Sequence, residues 1–191
     1  MALNANDVRV AITGELYVAP LGTAAPTTAS SALPPAFVGL GYISDDGLTE
    51  TYDESLEDIM AWQGAAKVRK VTSESEATLQ CLLIQTSKAA IELYHKGSVI
   101  ETDGETGFMV KVKSPAPDLR AMVFDVIDGN VHNRIYIPRA EVTERGDMTY
   151  SSSDAIGFDI TVTAYPVDLG GGVVGPLVKF SNDPSWGDGA S

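Results

Sequence analysis

Apolar and polar residues alternate along most of this chain, which is the period of strands rather than helices. Residues 8–19 alternate imperfectly and predict a strand with a bulge or twist at Gly14. Residues 22–36 are Gly, Ala, Pro, Thr and Ser around Pro26, Pro34 and Pro35, with too little bulk to pack, and predict a loop. Residues 37–43 read as a second strand softened by Gly39 and Gly41. Two period-two runs, 67–74 and 76–85, predict a hairpin with Glu74, Glu76, Thr78 and Gln80 on one face and Ala77, Leu79, Cys81 and Leu83 on the other. The period then changes. Residues 86–96 carry an N-cap candidate in Thr86 or Ser87, an apolar face of Ala90, Ile91 and Tyr94, and Gly97 as a stop, so they predict a helix lying on a sheet.

Strands resume at 108–113. Residues 119–127 and 131–137 flank Asp128-Gly129-Asn130, a hairpin signal. Residues 139–145 and 155–165 follow, joined by a polar turn region. The pattern amounts to about eight strands and one helix, a β-dominated α+β domain. Its simplest form is two packed antiparallel sheets with one flanking helix. The divisions are an N-terminal arm over 1–7, a domain over 8–165 that includes a long loop at 44–66, and a C-terminal arm over 166–191. That last segment holds Gly170-Gly171-Gly172 but also Phe180 and Trp186, so it either packs on a neighbour or wraps its own domain.

Loop 44–66 changes the picture most. It holds Asp45, Asp46, Glu50, Asp53, Glu54, Glu57 and Asp58, and no Lys or Arg occurs between Arg9 and Lys67. The same stretch carries Leu48, Tyr52, Leu56, Ile59, Met60 and Trp62. Large apolar anchors on an acidic segment mark either a docking element or a loop folded back on its own core. Over all 191 residues, 26 Asp and Glu against 13 Lys and Arg give a net charge of −13. That balance excludes a protein that grips nucleic acid through phosphates, which needs clustered cations.

Candidate chemistry is sparse. Cys81 is the single cysteine and sits in an apolar strand, so it reads as an inert core thiol. His95 and His132 have no metal-ligand spacing. No nucleophile elbow, phosphate loop or dinucleotide fingerprint is present. The acidic turn at residues 101–105 misses the EF-hand spacing. No enzyme activity, cofactor or metal is expected. The N-terminus has no signal-peptide pattern, and no apolar run approaches the roughly 18 residues of a membrane span. A soluble protein made in a cytoplasm, with no membrane partner, is expected.

What remains is a pattern of faces. Strand 155–165 sets Ile156, Phe158, Ile160, Val162 and Ala164 opposite Asp159, Thr161 and Thr163. Strand 139–145 sets Ala140 and Val142 opposite Glu141 and Thr143. With Glu74, Glu76, Thr78 and Gln80 these describe a sheet with one face of threonines and carboxylates. Such a face is either a solvent face or the lining of an aqueous channel.

Several segments resemble the major tail proteins, the tail tube proteins of long flexible-tailed phages of actinobacteria. They are Phe37-Val38-Gly39-Leu40-Gly41-Tyr42-Ile43-Ser44-Asp45-Asp46-Gly47-Leu48-Thr49-Glu50, Glu57-Asp58-Ile59-Met60-Ala61-Trp62-Gln63, residues 137–147, and Ile156-Gly157-Phe158 through Thr163-Ala164-Tyr165-Pro166. The resemblance implies a virion structural protein with a two-sheet fold. Its subunits form hexameric rings whose inner strands join one β-barrel, and the rings stack into a tube through which DNA is ejected. The implied partners are further copies of the chain, a tape-measure protein, and tail-tip and tail-terminator proteins, with DNA in transit but not bound. On this reading Glu74, Glu76, Thr78, Gln80, Glu141, Thr143, Asp159, Thr161 and Thr163 line the lumen. Tyr52, Leu56, Ile59, Met60, Trp62, Phe180 and Trp186 make contacts between subunits. A tube subunit of a contractile injection system and a virion-surface adhesin are the alternative readings.

Overall fold

The computed structural model describes residues 7–62, 64, 66–104, 106–114 and 116–187, without the side chains of residues 71–74. The expected arm residues 1–6 and 188–191, Glu105 of the acidic turn and the side chain of Glu74 therefore lie outside the described residues. The strands are β1 (Thr13–Pro20), β2 (Val38–Gly39), β3 (Ile43–Met60), β4 (Lys67–Leu83), β5 (Ile100–Asp103), β6 (Gly107–Val110), β7 (Arg120–Asp128), β8 (Val131–Arg145), β9 (Phe158–Ala164), β10 (Val167–Asp168), β11 (Val174–Gly175) and β12 (Val178–Ser181). A helix, α1 (Lys88–Tyr94), follows β4.

Eight strands form one antiparallel sheet in the order β2-β1-β7-β8-β9-β4-β3, with β12 on β8. The two sheets expected from the sequence are thus two arms of a single hydrogen-bonded sheet. Strand β8 joins them. Its first part pairs with β7 and β12, its last part with β9, and Ala140 sits opposite both Arg120 and Ala164. The register slips beside Ala140, where β8 carries one extra residue at 138–139. Pro138 cannot donate to a ladder, so a bulge is where it fits, and a bulge bends the strand. The runs 131–137 and 139–145 are therefore one strand turning a corner, not two.

The arms close on one core. Leu16, Met122, Phe124 and Ile137 from the first arm share a buried cluster with Leu79, Leu83, Ile160 and Val162 from the second. Helix α1 covers the end of that core with Ala90, Leu93 and Tyr94. Ser87 caps it by accepting from the Ala90 N–H at 3.1 Å, and Gly97 ends it at φ 71°. A second cluster of Ala19, Phe37, Val123 and Tyr136 lies on the outer face of the first arm, with Phe180 of β12 packed against it. Each arm alone would bury one face; the fold lets both faces of β1, β7 and β8 pack.

Other expectations are corrected. Gly14 makes no bulge; it pairs in register with Val126, and a Cβ there would stand 2.9 Å from the Asp125 carbonyl oxygen. The strand expected at 37–43 reduces to the two residues of β2. The runs 67–74 and 76–85 are one strand. The loop expected at 44–66 is an 18-residue strand, β3, paired with β4 in a long hairpin. The segment after 166 folds back on its own chain: β10 and β11 make a small hairpin, and β12 joins β8. β5 and β6 form a separate hairpin beside the helix.

Candidate functional site

Strands β8, β9, β4 and β3 bring the polar positions together. Thr78 lies opposite Thr163 and Gln80 opposite Thr161 across β4 and β9, while Glu141 lies opposite Thr163 across β8 and β9. The groups bond to one another. Gln80 Nε2 donates to Asp159 at 3.2 Å, the Thr163 hydroxyl donates to Glu76 at 3.0 Å, and Thr143 and Thr163 share a hydroxyl contact at 2.9 Å. Eight of the nine expected residues therefore share one connected face, and the side chain of Glu74 is the exception, lying outside the described residues. Thr163 and Glu141, opposite each other, are the covered part of this face, with Thr163 buried. Glu141 accepts from Lys96 at 3.4 Å and from the Tyr165 hydroxyl at 3.3 Å, and its side chain is only 13% exposed. Its charge is matched by a cation at the end of the helix.

The face extends further than the sequence reading reached. Thr49, Thr51 and Asp53 of β3 lie opposite Gln80, Thr78 and Glu76, so they continue the same polar surface. Their signal was the alternation from Leu48 to Asp53, which the surrounding run of carboxylates concealed.

Beyond Ala77 strand β4 leaves β9 and pairs only with β3. Residues 51–60 are all exposed, and so are 66–70. The result is a two-stranded ribbon projecting from the sheet, carrying Tyr52, Leu56, Ile59, Met60 and Val68 exposed along it and Trp62 97% exposed at its tip. Asp58 pairs with Lys67 near that tip. Irregular register between Ser55 and Leu56 and between Ile59 and Met60 re-aims the side chains along it. The base is anchored: Lys179 of β12 donates to Glu50 at 2.7 Å and stands 5.7 Å from the centre of the Tyr52 ring, and the Tyr52 hydroxyl donates to Glu50 at 2.5 Å. Burial and the Glu50 carboxylate push the Tyr52 hydroxyl up to about 12. Of the expected contact residues, Phe180 packs against its own domain, while Trp186 is exposed.

Strand β3 also ends the sheet. Among the described residues its outer edge pairs with no strand, and the other end of the sheet is the two-residue β2. A long open edge is a template for pairing with another chain.

The remaining candidates are structural. Burial pushes the Cys81 thiol up to about 12, which keeps it protonated and unreactive. Burial, with Arg145 nearby, lowers the His95 pKa. Among the described residues no cluster of His, Cys, Asp and Glu is placed to hold a metal ion, and no helix is long and apolar enough to cross a membrane.

No curated protein matches the chain. One similar chain among solved structures comes from the cryo-EM structure of the anti-feeding prophage (AFP) baseplate, 6-fold symmetrised. It is 10% identical, with 94% of this chain and 97% of that chain covered at a TM-score of 0.39. The family described as Phage tail tube protein matches residues 1–171. The chain belongs to the phage tail tube proteins, structural components of the virion tail.

Proposed function

We propose that copies of this chain join through their sheet edges into hexameric rings. The inner strands of each ring make one multi-subunit β-barrel, and stacked rings form the tube of a long non-contractile tail through which DNA is ejected. The single observation that carries this reading is the projecting ribbon of β3 and β4. An isolated two-stranded ribbon is marginal in water. One that exposes Leu56, Ile59, Met60 and Trp62 gains most of its stability by packing on another subunit. The two edges of the sheet are different strands, β3 and β2, so pairing between them is heterologous, the kind of contact that closes into rings or propagates.

The polar face of β8, β9, β4 and β3 lines the passage. Threonine hydroxyls and the amide of Gln80 hold a hydration layer, and the carboxylates of Asp53, Glu76 and Asp159 repel phosphates. An acidic conduit lets a polyanion slide without arresting it. The subunit is made in the host cytoplasm. Assembly then starts on a tail-tip complex, runs along a tape-measure protein and stops at a terminator.

Electron microscopy of the purified chain, concentrated or mixed with tail-tip complexes, tests this. Tubes with a central hole are expected. Persistent monomers or trimers would overturn the reading in favour of a virion-surface adhesin.

A further inference from the structure

An apolar groove lies between helix α1 and the β5–β6 hairpin. It encloses about 500 Å³ and is lined by Thr86, Lys88, Ile91, Ile100, Thr102 and Phe108. Phe108 is 77% exposed at its wall, an aromatic ring that nothing in its own chain covers well. The groove's lining comes from residues 86–108, and the ribbon contributes none of it. Trp62 is the most exposed large apolar side chain described, and it stands at the end of a projecting element. Within one copy the two do not meet: Trp62 is almost fully exposed and is not among the residues that line the groove.

We infer that Trp62 at the ribbon tip of one copy inserts into the groove between α1 and the β5–β6 hairpin of a second copy. The inference rests on the self-assembly proposed above and names the contact through which it occurs. Charge supports a second copy as the occupant. Chains at −13 repel each other over most of their surface, so only locally balanced regions can meet without penalty. The tip region balances Glu57 and Asp58 against Lys67, Arg69 and Lys70. Beside the groove Glu92 is balanced by Lys88 as an ion pair and also accepts from the Ile100 N–H at 3.3 Å. A tryptophan buries about 150–250 Å² when enclosed and prefers an edge or offset contact with another ring, which Phe108 offers.

The test follows the tryptophan through assembly. In the Trp186→Phe chain Trp62 is the sole indole, and its emission is expected to shift to the blue as tubes form. Adding Phe108→Lys to that chain is expected to abolish the shift, because a charge then stands in the groove wall. A second readout mixes two single variants, Trp62→Cys and Phe108→Cys, whose native thiol Cys81 is buried. A dimer cross-linked by a short bismaleimide is expected in the mixture and in neither variant alone. Tubes in which Trp62 emission stays unshifted would overturn the inference while leaving the tube reading intact. So would a shift that survives Phe108→Lys, or a mixture that assembles without the cross-link. Failure of the wild-type chain to form tubes would overturn both.

Discussion

Arg134 on β8 faces Asp125 on β7 as a buried fork, its Nε and Nη2 each 2.7 Å from a carboxylate oxygen. Its Nη1 donates to the carbonyls of Thr28 and Ser31 at 3.2 and 2.7 Å. One guanidinium thus ties two central strands to the Pro/Ala-rich loop at 22–36. Arg134→Ala leaves a buried carboxylate and two carbonyls without their donor, and the expected loss is about 3–5 kcal/mol. Denaturant unfolding measures it, and limited proteolysis is expected to cut within 22–36 first. Arg134→Lys retains the charge without the fork and should fall between the two. An unchanged midpoint in Arg134→Ala would show that the fork contributes nothing net.

That ion pair shows where reading a sequence stops. Asp125 and Arg134 were placeable on neighbouring strands, because Asp128-Gly129-Asn130 sets the hairpin. The bonds from Arg134 to loop carbonyls more than a hundred positions away were not. The helix, its Ser87 cap and the faces of β4 and β9 were legible because periodicity and capping are local. Strand β3 was not. Its carboxylates look like a loop when strand formation is equated with burial, yet a ribbon exposed on both faces keeps every carboxylate hydrated while β4 supplies the backbone partners. The corner in β8 was hidden for a similar reason: Pro138 looks like a strand end, and only the register shows that it occupies a bulge. Among the site residues, Thr78, Gln80, Thr161 and Thr163 followed from alternation. The partnership of Glu141 with Lys96 depended on the left-handed turn at Lys96, φ 49°, that ends the helix.

Gly41 carries the turn from β2 into β3. Its φ is +96°, and a Cβ there would stand 2.4 Å from the Gln85 side chain, whose Oε1 accepts from the Tyr42 N–H at 3.1 Å. Gly41→Ala therefore forces a left-handed backbone and displaces Gln85. The left-handed conformation costs about 1–2 kcal/mol, which lowers Tm by about 2–8 °C in a chain of this size. Calorimetry reads the shift. Gly22→Ala is the control, since φ there is +85° but nothing lies within 4 Å, and it should lose only the backbone part.

If the polar face lines the DNA passage, reversing its charge should turn a conduit into a binder. Gln80 and Thr161 face each other across β4 and β9, so Gln80→Lys with Thr161→Lys puts two cations on that face in every copy. Tubes are expected to form as before and to retain duplex DNA, with a logarithmic salt slope of about −0.9 for each phosphate neutralised. Sedimentation of tubes with labelled DNA across a salt series checks it, and phage carrying the variant should eject more slowly. Tubes that form and still release all DNA at low salt would remove these residues from the lumen.

Arg9 and Asp183 clasp the two ends of the chain. The guanidinium donates to the carboxylate through Nε at 2.5 Å and Nη2 at 2.7 Å, and the Ser185 N–H donates to the same group at 2.9 Å. The Arg9 hydrogen bond is the main reason the Asp183 carboxyl is held well below its ordinary value of 3.8, with the Ser185 N–H adding to it. A carboxyl lowered in the folded state stabilises that state fully above its unfolded value, and the contribution declines as pH falls below it. The clasp is therefore intact at neutral pH and down to about pH 5, and weakens progressively as acid approaches the lowered value. The segment held is residues 8–12, where the Ile12 N–H donates to the Ile127 carbonyl at 3.1 Å. Hydrogen-exchange protection of the Ile12 amide, corrected for the intrinsic rate at each pH, is expected to fall below pH 4 in the native chain. In Asp183→Asn it is expected to be low already at pH 7, with little further change on acidification. An identical pH profile in both chains would mean that the clasp does not hold the N-terminal segment in place.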